Sequence, residues 1–489
     1  MVRYDVAIIG ASSDGLAAAV ALAKAGLKTR VVERADGPGG ALKTRAFHPG
    51  FTASPFADGA APVPPEIDWS LGLARAGAIA QPASTSLALW PDGRSLIGRG
   101  AGAAAAALIA ESRTRAAAVL ARAAAEAEAV PARGWFARQP ERLAWPSEDW
   151  AGARLAELAA ERADDAEAAH LVAHAVAGRT ADPLLAGSAL HLLAAGDGGA
   201  MPGGPVRLAT VLAGLAASAG AELSYGVDVT EIRRTKDRVG ALVLADGTEI
   251  AARAAISTLD LKQTFLSLFA WSALPGDTAK RAGLYRMGGG IARVLLALDA
   301  PPAVPAWAAR GPIHVAPDLR AFSEAYAACQ AGLIPERPPV TLRLVSAADP
   351  GLAPVGQATM TATLSGIPVR LFDGAWTREK RDFVRDRALA AIEDVLPGTA
   401  AHVLEALVIA PPDIEEALGA TDGDLWGGEI ASDQMLGARP WLDRAAPRTP
   451  VDGLYLAGPS TAAGVLASCA SGVHAARAVF ADLKAGRLA

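Results

Sequence analysis

Four glycines and one glutamate near the N-terminus carry the clearest chemical pattern in the sequence. Gly10-Ala11-Ser12-Ser13-Asp14-Gly15 stands between an apolar, β-branched run, Tyr4 to Ile9, and a stretch of helix formers closed by Gly26. A strand, a glycine turn and a helix start together make an anion-binding corner, because the first amides of a helix have no partner within it. In a dinucleotide fingerprint the first glycine makes the turn, the second lets backbone approach a pyrophosphate, and the third lets helix pack on strand. Gly10 and Gly15 fill the first and third roles, and Ser12 stands in the second. Glu33 ends the next apolar run, Lys28 to Glu33, where an acid takes ribose hydroxyls.

Arg34, and then Gly39-Gly40-Ala41, follow that acid. This is the layout of chains that run FAD along a second glycine pair rather than of a plain NAD domain. The elements that must position these residues form a βαβ unit, the building block of parallel sheets. Mostly helical sequence, broken by Pro131, Pro140 and Pro146, runs from Arg99 to Ala177. A helix, a strand from Val227 to Arg233 and a hairpin turning at Asp246-Gly247 come next. Further strands are expected at Arg293 to Leu298, Val340 to Val345 and Gly453 to Ala457, before a closing helix that ends at Lys484. Ser460-Thr461 reads as the N-cap of that closing helix.

Composition excludes several classes. The 489 residues exceed one ordinary core, and alanine makes up roughly a quarter of them. With 46 basic and 51 acidic residues there is no polyphosphate-binding surface, so nucleic acid is not an expected partner. Two cysteines, Cys329 and Cys469, form no CxxC and no metal-ligand spacing. The best apolar stretch, Ala101 to Ala110, is about half of the ~20 residues a membrane span needs. Nothing at the N-terminus resembles a signal peptide, and the expected location is cytoplasmic, with peripheral membrane contact as an option.

The segment DVAIIGASSDGLAAAVALAKAGLKTRVVERADGPGGALKTRAFHPGF resembles the start of the phytoene-desaturase-like FAD oxidoreductases, in the branch of the pyridine nucleotide-disulfide oxidoreductase domain-containing protein 2. GVDVTEIRRTKDRVGALVLADGTEIAARAAISTLDLKQTF, SDQMLGARP and TPVDGLYLAGPSTAAG follow in that family's order. The resemblance implies an α/β fold: a Rossmann-like FAD-binding domain of the phytoene desaturase and amine oxidase type with an interleaved α+β substrate domain. The implied FAD-binding parts are 1–70, 200–260 and 421–489, and the implied substrate-domain parts are 71–199 and 261–420. It further implies hydride transfer from a hydrophobic small molecule to flavin, with cofactor contacts at Gly10, Ala11, Ser12, Gly15, Glu33, Arg34, Gly39, Gly40, Ala41, Val229, Gly458, Pro459, Gly464 and Val465. Such chemistry asks the protein for binding and orientation more than for acid–base groups, and no catalytic pair is legible.

Three departures from the family pattern fall on cofactor contacts. Ser12 adds a side chain where glycine is usual, and Asp14 replaces Asn and brings a negative charge to the helix end that would receive phosphates. Ala462, Ala463, Val465 and Leu466 stand where the family continues with His-Pro and glycines. Two readings follow: an FAD-dependent oxidoreductase with altered contacts, or a flavin-free derivative that keeps the fold as a binding or assembly protein or as a cofactor-independent enzyme.

His170 and His174 share one helical face, as a metal pair would, but no third ligand stands at useful spacing, and no metal is expected. His314 and His474 are candidates for the edge of the substrate cavity, and the Gly196 to Gly204 loop for a lid or cavity edge. Arg439, near Gln434, suits either the polar end of a ligand or the pinning of the loop before the last strand.

Overall fold

A computed structural model describes residues 3–78, 85–97, 103–129, 145–195, 199–305, 308–440 and 447–488. Pro131, Pro140 and the first residues of the Gly196 loop lie outside the described residues.

The first sheet is laid down by three separated parts of the chain. Strand β1 (Tyr4–Ile9) pairs in parallel with β2 (Thr29–Val32) on one side and with Glu249–Ser257 on the other. Glu222–Ser224 extends the sheet beyond β2, and Leu454–Leu456 pairs in parallel with the 249–257 strand. The antiparallel ribbon Val229–Thr235 and Arg238–Leu244 joins the same long strand through the expected turn at Asp246-Gly247. Helix α1 (Ser13–Lys24), which connects β1 to β2, has nine buried residues and is covered by the helices Val206–Ser218 and Ala470–Lys484. Its inner positions are mainly alanine, so neighbouring helices approach closely.

The second sheet is mixed and seven-stranded, with Ile291–Leu298 second from one edge, paired to Ala358–Ser365 and to the edge strand Val403–Ile409. Alternate residues of the 291–298 strand face opposite cores: Ala292, Val294 and Leu296 pack under the helix Arg378–Val395, while Ile291 and Leu295 meet Ala53 and Ile414 on the other face. The expected strand at Val340 ends at Arg343, and the chain turns helical from Val345.

Helix α2 (Pro65–Leu71) leaves the first sheet, and α3 (Ala103–Glu128) runs along the helix Ala470–Lys484. Among the described residues no helix is long and apolar enough to cross a membrane. Ser460-Thr461 do not cap the closing helix, contrary to the expectation from their types: it starts at Ala470, behind Cys469 at φ +67. Ser460 Oγ instead accepts from the Leu261 amide at 3.1 Å and donates to Gly427 O at 2.8 Å, because tertiary contacts claim the hydroxyl first.

Candidate functional site: two glycine turns and an alanine-walled cavity

The N-terminal corner is held by backbone. Gly10 sits at φ +95 with its amide on Val32 O, and a Cβ there would overlap Thr258 Oγ1. A Cβ on Gly15 would overlap Gly10 O, so α1 presses directly on the turn. Ser12 is the N-cap: its Oγ accepts from the Gly15 amide at 3.3 Å and is thereby turned into the helix. The Gly39 amide donates to Ala11 O at 3.0 Å, and a Cβ on Gly40 would lie 3.6 Å from Ser12 Cβ, so the second glycine pair lies against the first turn. Ala41 O accepts from Ser54 Oγ at 3.3 Å.

Glu33 faces this corner. Its carboxylate accepts from the Ala11 amide at 2.7 Å and the Ala35 amide at 2.9 Å. A carboxylate offers about four lone-pair sites, so two remain for a diol. Val227 donates to Glu33 O at 2.9 Å, which brings the segment leading to Val229 alongside. Arg34 turns away: it donates to Glu416 O and Ala417 O at the C-terminal end of the helix Pro411–Leu418. Among the described residues no group accepts from the amides of Ser13, Asp14, Gly40 or Ala41.

The second turn follows Leu454–Leu456. The Gly458 amide donates to Ser471 Oγ at 2.7 Å, Thr461 Oγ1 donates back to Gly458 O, and the Gly464 amide donates to Thr461 Oγ1 at 3.0 Å. A Cβ on Gly464 would overlap Gly458 O. Pro459 O accepts twice from Arg439, whose buried guanidinium also donates to the carbonyls of Trp426, Gly428, Glu429 and Gln434. Of the two roles open to Arg439, the structure gives it the pinning one.

Asp14 is the main correction to the expected charge pattern. Its side chain is buried against the start of the closing helix, accepting from Gly472 and Ser471. Burial raises its pKa to about 6, against those hydrogen bonds. Ala462, Ala463 and Val465 are likewise packed in protein, with Ala463 and Val465 part of the main apolar core. Leu466 and Ala467 border a cavity.

That cavity, about 470 Å³, lies between α3, the start of α2, the segment Leu192 to Ala195 and the closing helix. His174 and His474 both reach it, as does Arg477. Burial pushes the His474 pKa down to about 4, so its ring is neutral. A smaller cavity of about 40 Å³ is lined by Ser54, Asp58, Arg343, Gly204 and Pro205, which places the end of the Gly196 loop at a cavity edge. There Asp58 is bound by Arg293 and accepts from Thr361 Oγ1 at 2.7 Å, so the loop that supports Ala41 is tied to the second sheet. Nothing in the sequence pattern signals this pair, which lies 235 positions apart.

The histidine pair acquires a third member. His314 comes from the second sheet, its ring 5.6 Å from that of His170 and 6.0 Å from that of His174. His170 Nε2 is 3.0 Å from Ser86 Oγ, and His314 Nδ1 is 3.1 Å from Thr341 Oγ1. Burial lowers the pKa of His170 to about 4 and pushes that of His314 well below its usual range. Among the described residues no group of three such side chains has metal-binding geometry. His314 also borders a wider cleft of about 950 Å³.

Two parallel-sheet corners and an interleaved second sheet define a dinucleotide-binding oxidoreductase architecture. The model of the flavin containing amine oxidoreductases matches residues 15–480, and the chain belongs to that family and with it to the FAD-dependent oxidoreductases. It is 29% identical over 295 residues to the mouse (Mus musculus) pyridine nucleotide-disulfide oxidoreductase domain-containing protein 2, covering 58% of this chain and 51% of that one. It is 30% identical over 297 residues to a hydroxyneurosporene desaturase of Cereibacter sphaeroides, 58% of this chain and 54% of that one. The chain thus spans about half the length of the curated relatives it matches. Among solved structures, an oxidoreductase from Methanosarcina mazei superposes with a TM-score of 0.60 at 16% identity, over 96% of this chain and 99% of that one. A putrescine oxidase bound to putrescine does so at 0.59 and 16%, over 99% of each.

The residues present fit FAD. The corner offers amides without internal acceptors and a half-satisfied carboxylate. The substituted positions are accounted for otherwise: Ser12 caps α1, Asp14 serves the closing helix, and Val465 belongs to the core.

Proposed function

We propose that this chain oxidises a hydrophobic small molecule held in the 470 Å³ cavity, by hydride transfer to FAD. In this reading Glu33 holds the ribose hydroxyls, the amides of Ser13, Asp14, Gly40 and Ala41 receive the pyrophosphate, and the backbone near Val229 meets the adenine. Ala11, Ser12 and Gly15 keep the first corner in shape, and Gly458, Pro459, Gly464 and Val465 form the backing of the ring. Arg34 anchors the neighbouring helix rather than the cofactor.

The observation that carries the reading is a shared wall. Leu466 and Ala467 line the cavity and continue the same turn that Gly458 and Gly464 shape, so a molecule in the cavity lies one turn of backbone away from the cofactor position. Bound FAD supplies a two-electron acceptor. The protein's part is to exclude water and orient a C–H bond; its aliphatic lining does the first. Formation of a double bond releases a proton as well as a hydride, and the proton leaves to solvent at the rim of the cavity, where Arg477 is partly exposed.

The test is flavin content and reduction. Purified protein is expected to carry the yellow absorbance of oxidised FAD and to bleach anaerobically with a turnover substrate. Protein that stays colourless after incubation with FAD would overturn the reading.

A further inference from the structure

We propose that Arg293, in the second sheet, is a positioning residue for the cofactor: through Asp58 and Ser54 it holds the Ala41 peptide in place, so that FAD affinity depends on a side chain of the other sheet. This rests on the reading of the Gly40 and Ala41 amides as pyrophosphate donors.

The strand Ile291–Leu298 turns Ile291, Arg293 and Leu295 to the side on which Ala53 packs, and Arg293 is the charged one of the three. Its guanidinium, 3% exposed, forks onto both oxygens of Asp58 and donates to Thr363 Oγ1 at 2.9 Å. Thr363 and Thr361 stand opposite Arg293 and Leu295 on the paired strand, and Thr361 donates to the same carboxylate at 2.7 Å. Burial by itself would raise the Asp58 pKa; Arg293, with Arg343 nearby, lowers it, so the carboxylate is charged at neutral pH. A desolvated carboxylate held by a fork and a hydroxyl is fixed in one place, because any other place leaves charge buried without a partner.

The grip is passed on through a short turn. Ser54 Oγ accepts from the amides of Phe56 and Ala57 at 3.4 and 3.2 Å, which leaves its proton for Ala41 O at 3.3 Å. Asp58 follows that turn directly, and Ala41 follows the Gly39-Gly40 pair whose first amide lies on Ala11 O. From Ser54 to Pro64 the chain is in neither helix nor strand, so no backbone ladder holds the turn, and the ion pair fastens it to a buried strand. Donors that meet a ligand need placement to about 0.5 Å, which a loop supplies only when a rigid element supports it.

The experiment measures the FAD dissociation constant of the full chain, stripped of flavin by dialysis against bromide and titrated with FAD by flavin fluorescence. Urea unfolding is recorded on the same samples. Arg293→Met is expected to weaken FAD by about tenfold, the loss of one well-placed donor to a charged group. Arg293→Lys keeps the charge without the fork and should recover part of this, to a loss of about threefold. Ser54→Ala cuts the path beyond the ion pair without leaving a charge buried, so it tests the proposal even where Arg293→Met does not fold. It should also cost about tenfold, and adding Arg293→Lys to it should cost no more, since both break one path. Leu296→Ala, on the other face of the same strand, should lower the urea midpoint and leave FAD affinity unchanged. Ser54→Ala with the affinity of the parent, or a loss in Leu296→Ala as large as that in Ser54→Ala, would overturn the proposal and leave Arg293 a contributor to stability alone. A parent that takes up no FAD overturns this and the reading of the corner together. A parent that loads FAD while its variants match it overturns the positioning role and leaves the corner standing.

Discussion

The two glycine turns proposed to hold the cofactor differ in how far they depart from glycine, yet both keep it at the same kind of place. In the first, Gly10 and Gly15 are retained and Ser12 is not; in the second, Gly458 and Gly464 are retained while Val465 and Leu466 stand where glycines are expected. A Cβ at Gly15, Gly464 or Gly472 would overlap a backbone carbonyl, whereas Ser12, Val465 and Leu466 have side chains that find partners in the protein. Among the glycines that stand in these turns, Gly15, Gly458 and Gly464 are where two backbones converge, while Gly10 meets the Thr258 side chain. Those that were lost stood where the protein could absorb a side chain, so substitutions in a fingerprint weigh unequally.

That comparison breaks most violently at Gly472, whose Cβ would overlap Asp14 O. Gly472→Ala should cost about 3 kcal/mol or more, because helix backbone rather than a flexible side chain must move, and should appear as loss of soluble protein or a lowered unfolding midpoint in urea. If Gly472→Ala is as stable as the parent, close backbone approach is not what preserves these glycines. Val465→Gly should cost about 2 kcal/mol through lost core packing, and flavin affinity should not rise, since the valine is packed into the core. A gain in flavin affinity would show that the side chain was blocking the ring.

Asp14 links the turns, and its titration sharpens the comparison. Its pKa is raised from 3.8 to about 6 in the folded state, so between about pH 4 and 6 the native chain holds a proton that the unfolded chain has released. Stability must therefore fall as pH rises through that window and level off above it. Asp14→Asn should remove this slope and gain about 1–2 kcal/mol on the parent at pH 7, read from urea unfolding at pH 4.5 and 7. The smallest effect is expected at Ser12→Gly, which exchanges one acceptable N-cap for another at a cost of about 0.3 kcal/mol. Circular dichroism melts of that variant should nearly superimpose on those of the parent.

Much of the first sheet was legible because its signals are local. Apolar runs, glycines at positive φ and the Asp246-Gly247 turn all act within a few residues. The interleaving was not readable from periodicity; resemblance to a family supplied it. Side chains recruited over long distances were also hidden. Ser460 and Thr461 have the chemistry of a helix cap, but their hydroxyls bond Leu261, Gly427 and Gly458, and the helix begins nine residues later than their types suggest. His314 completes a histidine cluster that helical spacing alone could only half reveal, and Arg293 finds Asp58 across the chain for reasons no motif encodes. Arg439 was visible as a residue of interest, and its burial decided its role.

The contact between Asp14 and Gly472 spans 458 positions, and this orders events during synthesis. At about 5–20 residues per second, α1 exists for about 20–90 s before the helix that accommodates its carboxylate has been made. Until then the Asp14 carboxylate lacks the Gly472 and Ser471 donors from which it accepts in the folded chain. The corner around Gly10 to Gly15 is thus completed only when residues 458 positions beyond Asp14 have been made. Ribosome-bound chains stopped before residue 470 should accordingly take up less FAD than chains extended past Lys484.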